Sequence, residues 1–242
     1  MTKNETVYGG TEMKPIYEPK GRAKEYGDAA LNIYTGCPHR CFYCFAPNIL
    51  HRDREEFHSI VKPRDGIVEA TRRQLDIEGI TDGLIHLCFT CDPYPTGYDT
   101  SVTREIIVAL KEHGNHIQIL TKGDGKRDFD LLDENDWYGV TLDGDTSVHG
   151  QATEDLLIRS LKIAKALGIK TWVSFEPVLD DRRVIWLIER YHELFDKVKI
   201  GKLNYHKSSI DWKKFGDYAE RMCWQFDLDY YIKDSLREEM YK

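Results

Sequence analysis

Apolar, β-prone runs at 29–34, 83–89, 116–121, 137–142, 170–175 and 197–203 alternate with segments of helical period, and this alternation constrains the fold more than any other feature of the chain. Strands separated by helix-length segments run parallel, because each crossover carries the chain back to the edge it left. Rich in Val, Ile, Leu and Phe, the runs suit strands covered on both faces. The helical stripes are clearest late in the chain: Val184, Leu187, Ile188, Tyr191 and Phe195 share one face, as do Trp212, Phe215, Ala219, Met222, Cys223 and Phe226. Leu157, Leu161 and Ala164 repeat the pattern ahead of Gly168, and Ile106, Ile107 and Leu110 ahead of Gly114, each glycine placed to stop its helix. A length of 242 residues suits one large domain, and no linker or repeat divides it. The sequence therefore predicts a polar N-terminal extension over 1–28 and a single α/β domain over 29–242, with a seventh short strand at 230–232.

In parallel α/β folds reactive groups gather where strands end and loops meet over a rigid floor. Each strand end here carries polar residues. The first leads to Cys37, Cys41 and Cys44, the second to Thr90, Cys91 and Asp92, and the third to Thr121 and Lys122. The fourth gives Thr141 and Asp143, the fifth Ser174 and Glu176, and the sixth Lys202 and Asn204.

The cysteines form a C-x3-C-x2-C triplet. Three thiolates on a short loop hold three irons of a [4Fe–4S] cluster and leave the fourth open to a substrate or cofactor. A structural zinc site is the alternative, and needs a fourth ligand that only His39 or a distant residue could supply. A disulfide framework is disfavoured in a chain long enough to build its own core.

The formal net charge of −7 argues against nonspecific coating of nucleic acid but leaves room for a local basic cleft, at Lys20, Arg22 and Lys24, at Arg52 and Arg54, or at Lys122, Lys126 and Arg127. Residues 1–10 are polar, and no apolar run approaches the roughly 20 residues that span a bilayer. A soluble, cytoplasmic protein without a membrane partner is expected, in keeping with reduced thiols.

The triplet spacing, Tyr43 before its third cysteine and its place after the first strand resemble the signature of radical S-adenosylmethionine enzymes. Asn32 to Cys37, Asp92 to Pro95, Thr103 to Glu105, Ile119 to Lys122 and Arg127 to Leu132 narrow the likeness, over about 21–144, to the spore photoproduct lyase-like group. The resemblance implies a partial (β/α)6 barrel, a [4Fe–4S] cluster, S-adenosylmethionine and an electron donor such as a flavodoxin or ferredoxin. It also implies a lyase-like step on a nucleic-acid or nucleotide substrate. A peptide or small metabolite is the alternative substrate, and an iron–sulfur electron-transfer protein the alternative class. Cys37, Cys41 and Cys44 would then ligate the cluster, and Tyr43 would meet the adenine. Lys122 would pair with the methionine carboxylate, and Thr141 and Asp143 would bond the ribose or amino acid end. Glu176, an acid inside an apolar strand, is a catalytic candidate. Cys91 is a candidate hydrogen-atom donor, the part a cysteine plays in the photoproduct lyase. Cys88, three residues before it on a strand, would face the opposite way into the core. Asn204 and Lys233 are candidates for the substrate side. His39 and Arg40 either shield the cluster or face solvent.

Overall fold

The structure, a computed structural model, describes residues 13–144 and 152–242. The polar stretch at 1–10 lies outside the described residues. Strand β1 (Ile16–Tyr17) and a 3-10 turn (Gly21–Tyr26) precede β2 (Ala29–Leu31). Helices α1 (Ala46–Ile49), α2 (Arg54–Ser59) and α3 (Ile67–Glu78) lead to β3 (Leu84–Leu87), α4 (Ser101–Glu112) and β4 (His116–Thr121). A second 3-10 turn (Lys126–Leu131) joins β4 to β5 (Trp137–Thr141). Then come α5 (Glu154–Ala166), β6 (Lys170–Val178), α6 (Asp181–Tyr191), β7 (Lys197–Lys202), α7 (Trp212–Gln225), β8 (Asp229–Ile232) and α8 (Asp234–Met240).

The eight strands form one sheet in chain order, β1 antiparallel to β2 and every later pair parallel. β1 and β8 are its two edges, so the barrel is partial and unclosed. The six predicted strands and the seventh at the C-terminal end are all present, and β1 is an addition from within the leader. Its two residues give too short a pattern to register as a strand; Gln74 of α3 holds it in place by accepting from Ile16 N at 2.8 Å and donating to Ile16 O at 2.9 Å.

One face of the sheet is apolar. Ile85, Leu87, Ile117, Ile119, Val140, Val173, Phe175, Val198 and Ile200 are fully buried there, in one core with Ile106 and Leu110 of α4, Leu161 of α5 and Leu187 of α6. Burying each such side chain contributes about 1.5–3 kcal/mol. Side-chain caps start three of the helices: Thr153, Asp180 and Asp211 each accept a backbone N–H of the first turn. Gly114 (φ +73°) and Gly168 (φ +82°) follow their helices in the left-handed conformation.

The other face is different from the expected apolar layer. Residues one step out of phase present His86, Gln118, Trp172, Ser174 and Lys199, paired across the strands in register. Trp172 lies over Gly139, where a Cβ would come within 2.2 Å of the indole nitrogen, which donates to Ile119 O at 2.9 Å. The leader runs over this face. From β1, beside β2, it reaches Tyr26, whose carbonyl accepts from Gln118 at 2.7 Å, and Glu25, which pairs with Lys233 just after β8 at 2.8 Å.

Candidate functional site

The loop after β2 is set by backbone fit. Gly36 packs so closely on α2 that a Cβ would lie 2.4 Å from Phe57 O and 2.5 Å from Ile60 O, and Cys37 N donates to Phe57 O at 3.2 Å. Cys44 N donates to Cys41 O at 3.0 Å and closes the turn. Cys37, Cys41 and Cys44 are free and half-buried. Burial, first among the causes, holds all three thiols above their ordinary range, Cys44 at about 11. Three thiolates in such a place need a cationic partner, which is the chemistry of a metal site.

Two observations test which one. His39, the fourth ligand a zinc site would need, is buried and turned away, with Nδ1 3.4 Å from Asp92 Oδ2 and Nε2 3.5 Å from Thr96 Oγ1. Among the described residues only His116, Asp133 and Asp136 bring three ligand atoms within 4.8 Å of one another, and Lys111 is already bonded to both of those carboxylates. The three thiols are thus spread wider than one zinc with bonds of about 2.3 Å requires. That spread suits a cluster that meets each thiol through a different iron.

Around the triplet the other strand ends converge. Lys122 Nζ lies 2.5 Å from Asp143 Oδ2, and Tyr43 Oη donates to the same oxygen at 2.5 Å. The ammonium also stands 5.6 Å from the centre of the Tyr43 ring. The charge of Lys122 and a hydrogen bond from the Tyr43 hydroxyl both oppose the effect of burial on the Cys41 thiol. Burial, Cys41 and Asp143 together push the Tyr43 hydroxyl well above its usual range. Thr141 ends β5 opposite Ser174, and among the described residues no hydrogen bond joins its hydroxyl to this group.

Asp92, which the sequence places at a strand end without a role, is the residue that joins the loops. Nearly buried, it accepts from Tyr94 N at 2.8 Å and Thr121 Oγ1 at 2.5 Å through one oxygen, and from Lys122 N at 2.8 Å through the other. With His39 beside it, this carboxylate ties the loops after β2, β3 and β4 together. A signal existed in the strand-end Asp-Pro-Tyr-Pro run, but two of its bonds are to backbone N–H groups and its side-chain partners, Thr121 and His39, lie far from it in sequence.

A second polar group occupies the β6–β8 side of the inner face. Glu176 accepts from Tyr26 Oη and pairs with Lys233 at 2.8 Å, while Lys199 donates to Glu25 O. Lys199 and Lys233 lie 4.0 and 4.6 Å from the centre of the Tyr26 ring. A Cβ on Gly201 would come within 3.0 Å of both Glu176 and Lys233, so the glycine makes room for the pair. Desolvation, aided by Lys233 and Lys197, brings Lys199 down to about 8. Asn204 turns to Lys202 O at 3.1 Å instead.

Cys91 joins neither group. Its Sγ accepts from Tyr34 N at 3.4 Å and adjoins the Cys88 thiol. The alternation that would separate Cys88 from Cys91 fails because the chain leaves β3 at Leu87 and Cys88 adopts φ +71°. Phe89 is the residue of this loop that stacks on His86, centroids 4.3 Å apart. Arg40 bonds Glu55 at the surface, and the other basic groups are divided among local partners: Lys24 with Glu18, Arg52 with Glu56, Arg127 with Asp128. Arg22 and Lys24 line one open cavity with Glu25 and Asp234, and Lys126 and Arg127 another with Arg104 and Asp130, so acids share both.

The Radical SAM superfamily profile matches residues 31–195. No curated protein matches the chain in sequence. Among solved structures, a spore photoproduct lyase mutant with bound AdoMet and dinucleoside spore photoproduct is similar with a TM-score of 0.67 at 13% identity, over 88% of this chain and 78% of the lyase. Streptococcus suis SuiB bound to S-adenosylmethionine is similar with a TM-score of 0.62 at 15% identity, over 84% of this chain and 50% of SuiB.

Proposed function

The chain belongs to the radical SAM superfamily, whose members use a [4Fe–4S] cluster and S-adenosylmethionine, and we propose that it is a radical enzyme acting on a nucleic-acid or nucleotide substrate held against the inner face of the sheet. The observation that carries this is the convergence of Tyr43, Lys122 and Asp143 beside Cys41. Cys37, Cys41 and Cys44 hold the cluster. The chemistry such a cluster and cofactor supply is one-electron cleavage of the sulfonium to a 5′-deoxyadenosyl radical, which takes hydrogen from the substrate.

The chain's own part is binding and orientation. Lys122 offers three N–H donors and a charge to the methionine carboxylate, and Asp143 fixes its direction. Asp143 also accepts from Tyr43 and so orients the ring for the adenine; with Thr141 it serves the ribose or amino end. On the substrate side, Phe89 and Tyr26 provide aromatic surface, with Trp172 buried behind Tyr26, and Lys199 and Lys233 provide positive charge suited to phosphate. Glu176 holds the Tyr26 hydroxyl and Lys233, and is the proposed group to accept or return a proton in a lyase-like step. Cys91 remains a proposed hydrogen-atom donor, reached only if the loop after β3 turns its thiol from Tyr34 N. The dinucleoside bound by the lyase favours the nucleotide reading. The precursor peptide SuiA bound by SuiB keeps a peptide as the second. Superfamily enzymes need an electron donor, and a flavodoxin or ferredoxin is proposed for this one. No helix among the described residues is long and apolar enough to cross a membrane.

Anaerobic reconstitution with iron and sulfide is expected to give broad iron–sulfur absorbance and, with dithionite and S-adenosylmethionine, 5′-deoxyadenosine whose yield rises with the true substrate among oligonucleotides, nucleotides and peptides. Cys41→Ala should lose both signals. A wild-type cluster that never cleaves S-adenosylmethionine would mark an electron-transfer protein instead.

A further inference from the structure

We infer that α2 is a clamp on the cysteine loop and that Arg54 is its positioning residue, fixing the iron–sulfur site through the loop backbone and setting its reduction potential; this rests on the cluster assignment above. The Arg54 guanidinium donates to Cys44 O at 3.1 Å, to Phe42 O at 2.8 Å and to Cys41 O. Three carbonyl oxygens pointing at one spot repel one another, and a planar cation with five N–H donors holds them there. The neighbouring arginines behave differently. Arg40 pairs with Glu55, and Arg52 divides itself between Glu56 and Thr35 O, whereas Arg54 meets no carboxylate among the described residues. Its charge is therefore spent on the loop alone.

The far end of the same helix holds the other end of the same loop. His58, buried, bonds Cys37 O through Nδ1 at 2.8 Å, and Phe57 O accepts from Cys37 N at 3.2 Å. Asp53 caps the helix by accepting from Glu56 N at 2.9 Å, so the segment that carries both grips is itself anchored. α2 thus bonds the backbone of all three cysteines. Two consequences follow from the charge. Three thiolates gathered on one loop repel, and the fixed cation beside Cys41 and Cys44 offsets part of that repulsion before any metal arrives. A reduced cluster carries one more negative charge than an oxidised one, so the same cation favours reduction.

The test compares wild type, Arg54→Met, Arg54→Lys and Arg40→Met, all reconstituted anaerobically. Iron release to a chelator and the cluster midpoint potential, followed by electron paramagnetic resonance without S-adenosylmethionine, are the readouts. Arg54→Met is expected to keep its circular dichroism and melting temperature, to release iron about 10–100-fold faster, and to show a more negative midpoint. Arg54→Lys, which keeps the charge but not the fork, should recover the midpoint and only part of the iron retention. Arg40→Met should match wild type in both. Wild-type values for Arg54→Met, or an equal change in Arg40→Met, would overturn the clamp while leaving the cluster assignment standing. Wild-type protein that takes up no cluster would overturn the assignment itself.

Discussion

Around the cysteine loop, side chains grip backbone: Arg54 and His58 bond loop carbonyls, and Asp92 takes the N–H groups of Tyr94 and Lys122. Around Glu176, side chains grip one another: Tyr26, Glu176, Lys233 and Glu25 form a chain of hydroxyl, carboxylate and ammonium groups. The contrast teaches what each region has to preserve. A backbone-held loop keeps its shape whatever its side chains are committed to, which frees three thiols for metal. A network of side chains keeps charge balanced inside a cavity and can exchange its members for those of a bound molecule.

The largest expected effect tests the side-chain network. Lys233 is almost fully buried between two carboxylates, so Lys233→Met leaves both without their cation and should cost about 3–5 kcal/mol by denaturant titration. Cluster uptake should stay at the wild-type level; its loss would mean that the two regions are not independent. Asp92→Ala strands two backbone N–H groups and the Thr121 hydroxyl, and about 2–4 kcal/mol is expected to be lost. Unlike Lys233→Met, it should also weaken S-adenosylmethionine binding, because Lys122 is positioned through its own backbone N–H.

A smaller change falls on cofactor binding. Lys122→Met should weaken S-adenosylmethionine binding by about 10–100-fold in isothermal titration, as expected for loss of one charged hydrogen-bonding group, and should lower the melting temperature less than Lys233→Met does, because only one buried carboxylate, Asp143, loses its cation and Tyr43 still donates to it. An unchanged affinity would leave Lys122 as a structural partner of Asp143. The smallest effect is a pH dependence. Lys199 has a folded-state value near 8, below that of the free side chain, so the unfolded chain binds more protons above that point. Its burial penalty is present below pH 8 and is relieved as pH rises from about 8 to 10.5, a gain of about 1–3 kcal/mol. Lys199→Met should abolish this rising limb in a series of denaturation curves.

The legible parts of the site were those in which one short segment carries the message. Cys37, Cys41, Cys44, Lys122 and Asp143 each stand at the carboxyl end of an apolar run, and the parallel fold alone brings such ends together. The paired residues of the other region lie too far apart in sequence for any pattern to join them: Tyr26 and Glu176 are separated by 150 positions and Lys199 and Glu25 by 174. The polar inner face went unforeseen for a related reason. Runs such as 170–175 and 197–203 read as β-prone as a whole, while their Trp172, Ser174 and Lys199 alternate with Val173, Phe175, Val198 and Ile200, so that one face is buried against helices and the other is buried under the leader with its polar groups paired. Cys88 and Cys91 show the limit of strand parity, which ends where the strand does.

The leader also changes how the open sheet behaves as a mechanical object. A closed barrel can widen only by unzipping a ladder of backbone bonds, several at once. Here the gap between the first and last strands is bridged by a strap, tied at one end by β1 to β2 and at the other by Glu25 to Lys233 and Lys199. Widening that gap would cost one ion pair and one bond to a carbonyl oxygen, Glu25 with Lys233 and Glu25 O with Lys199, and no strand-to-strand bond.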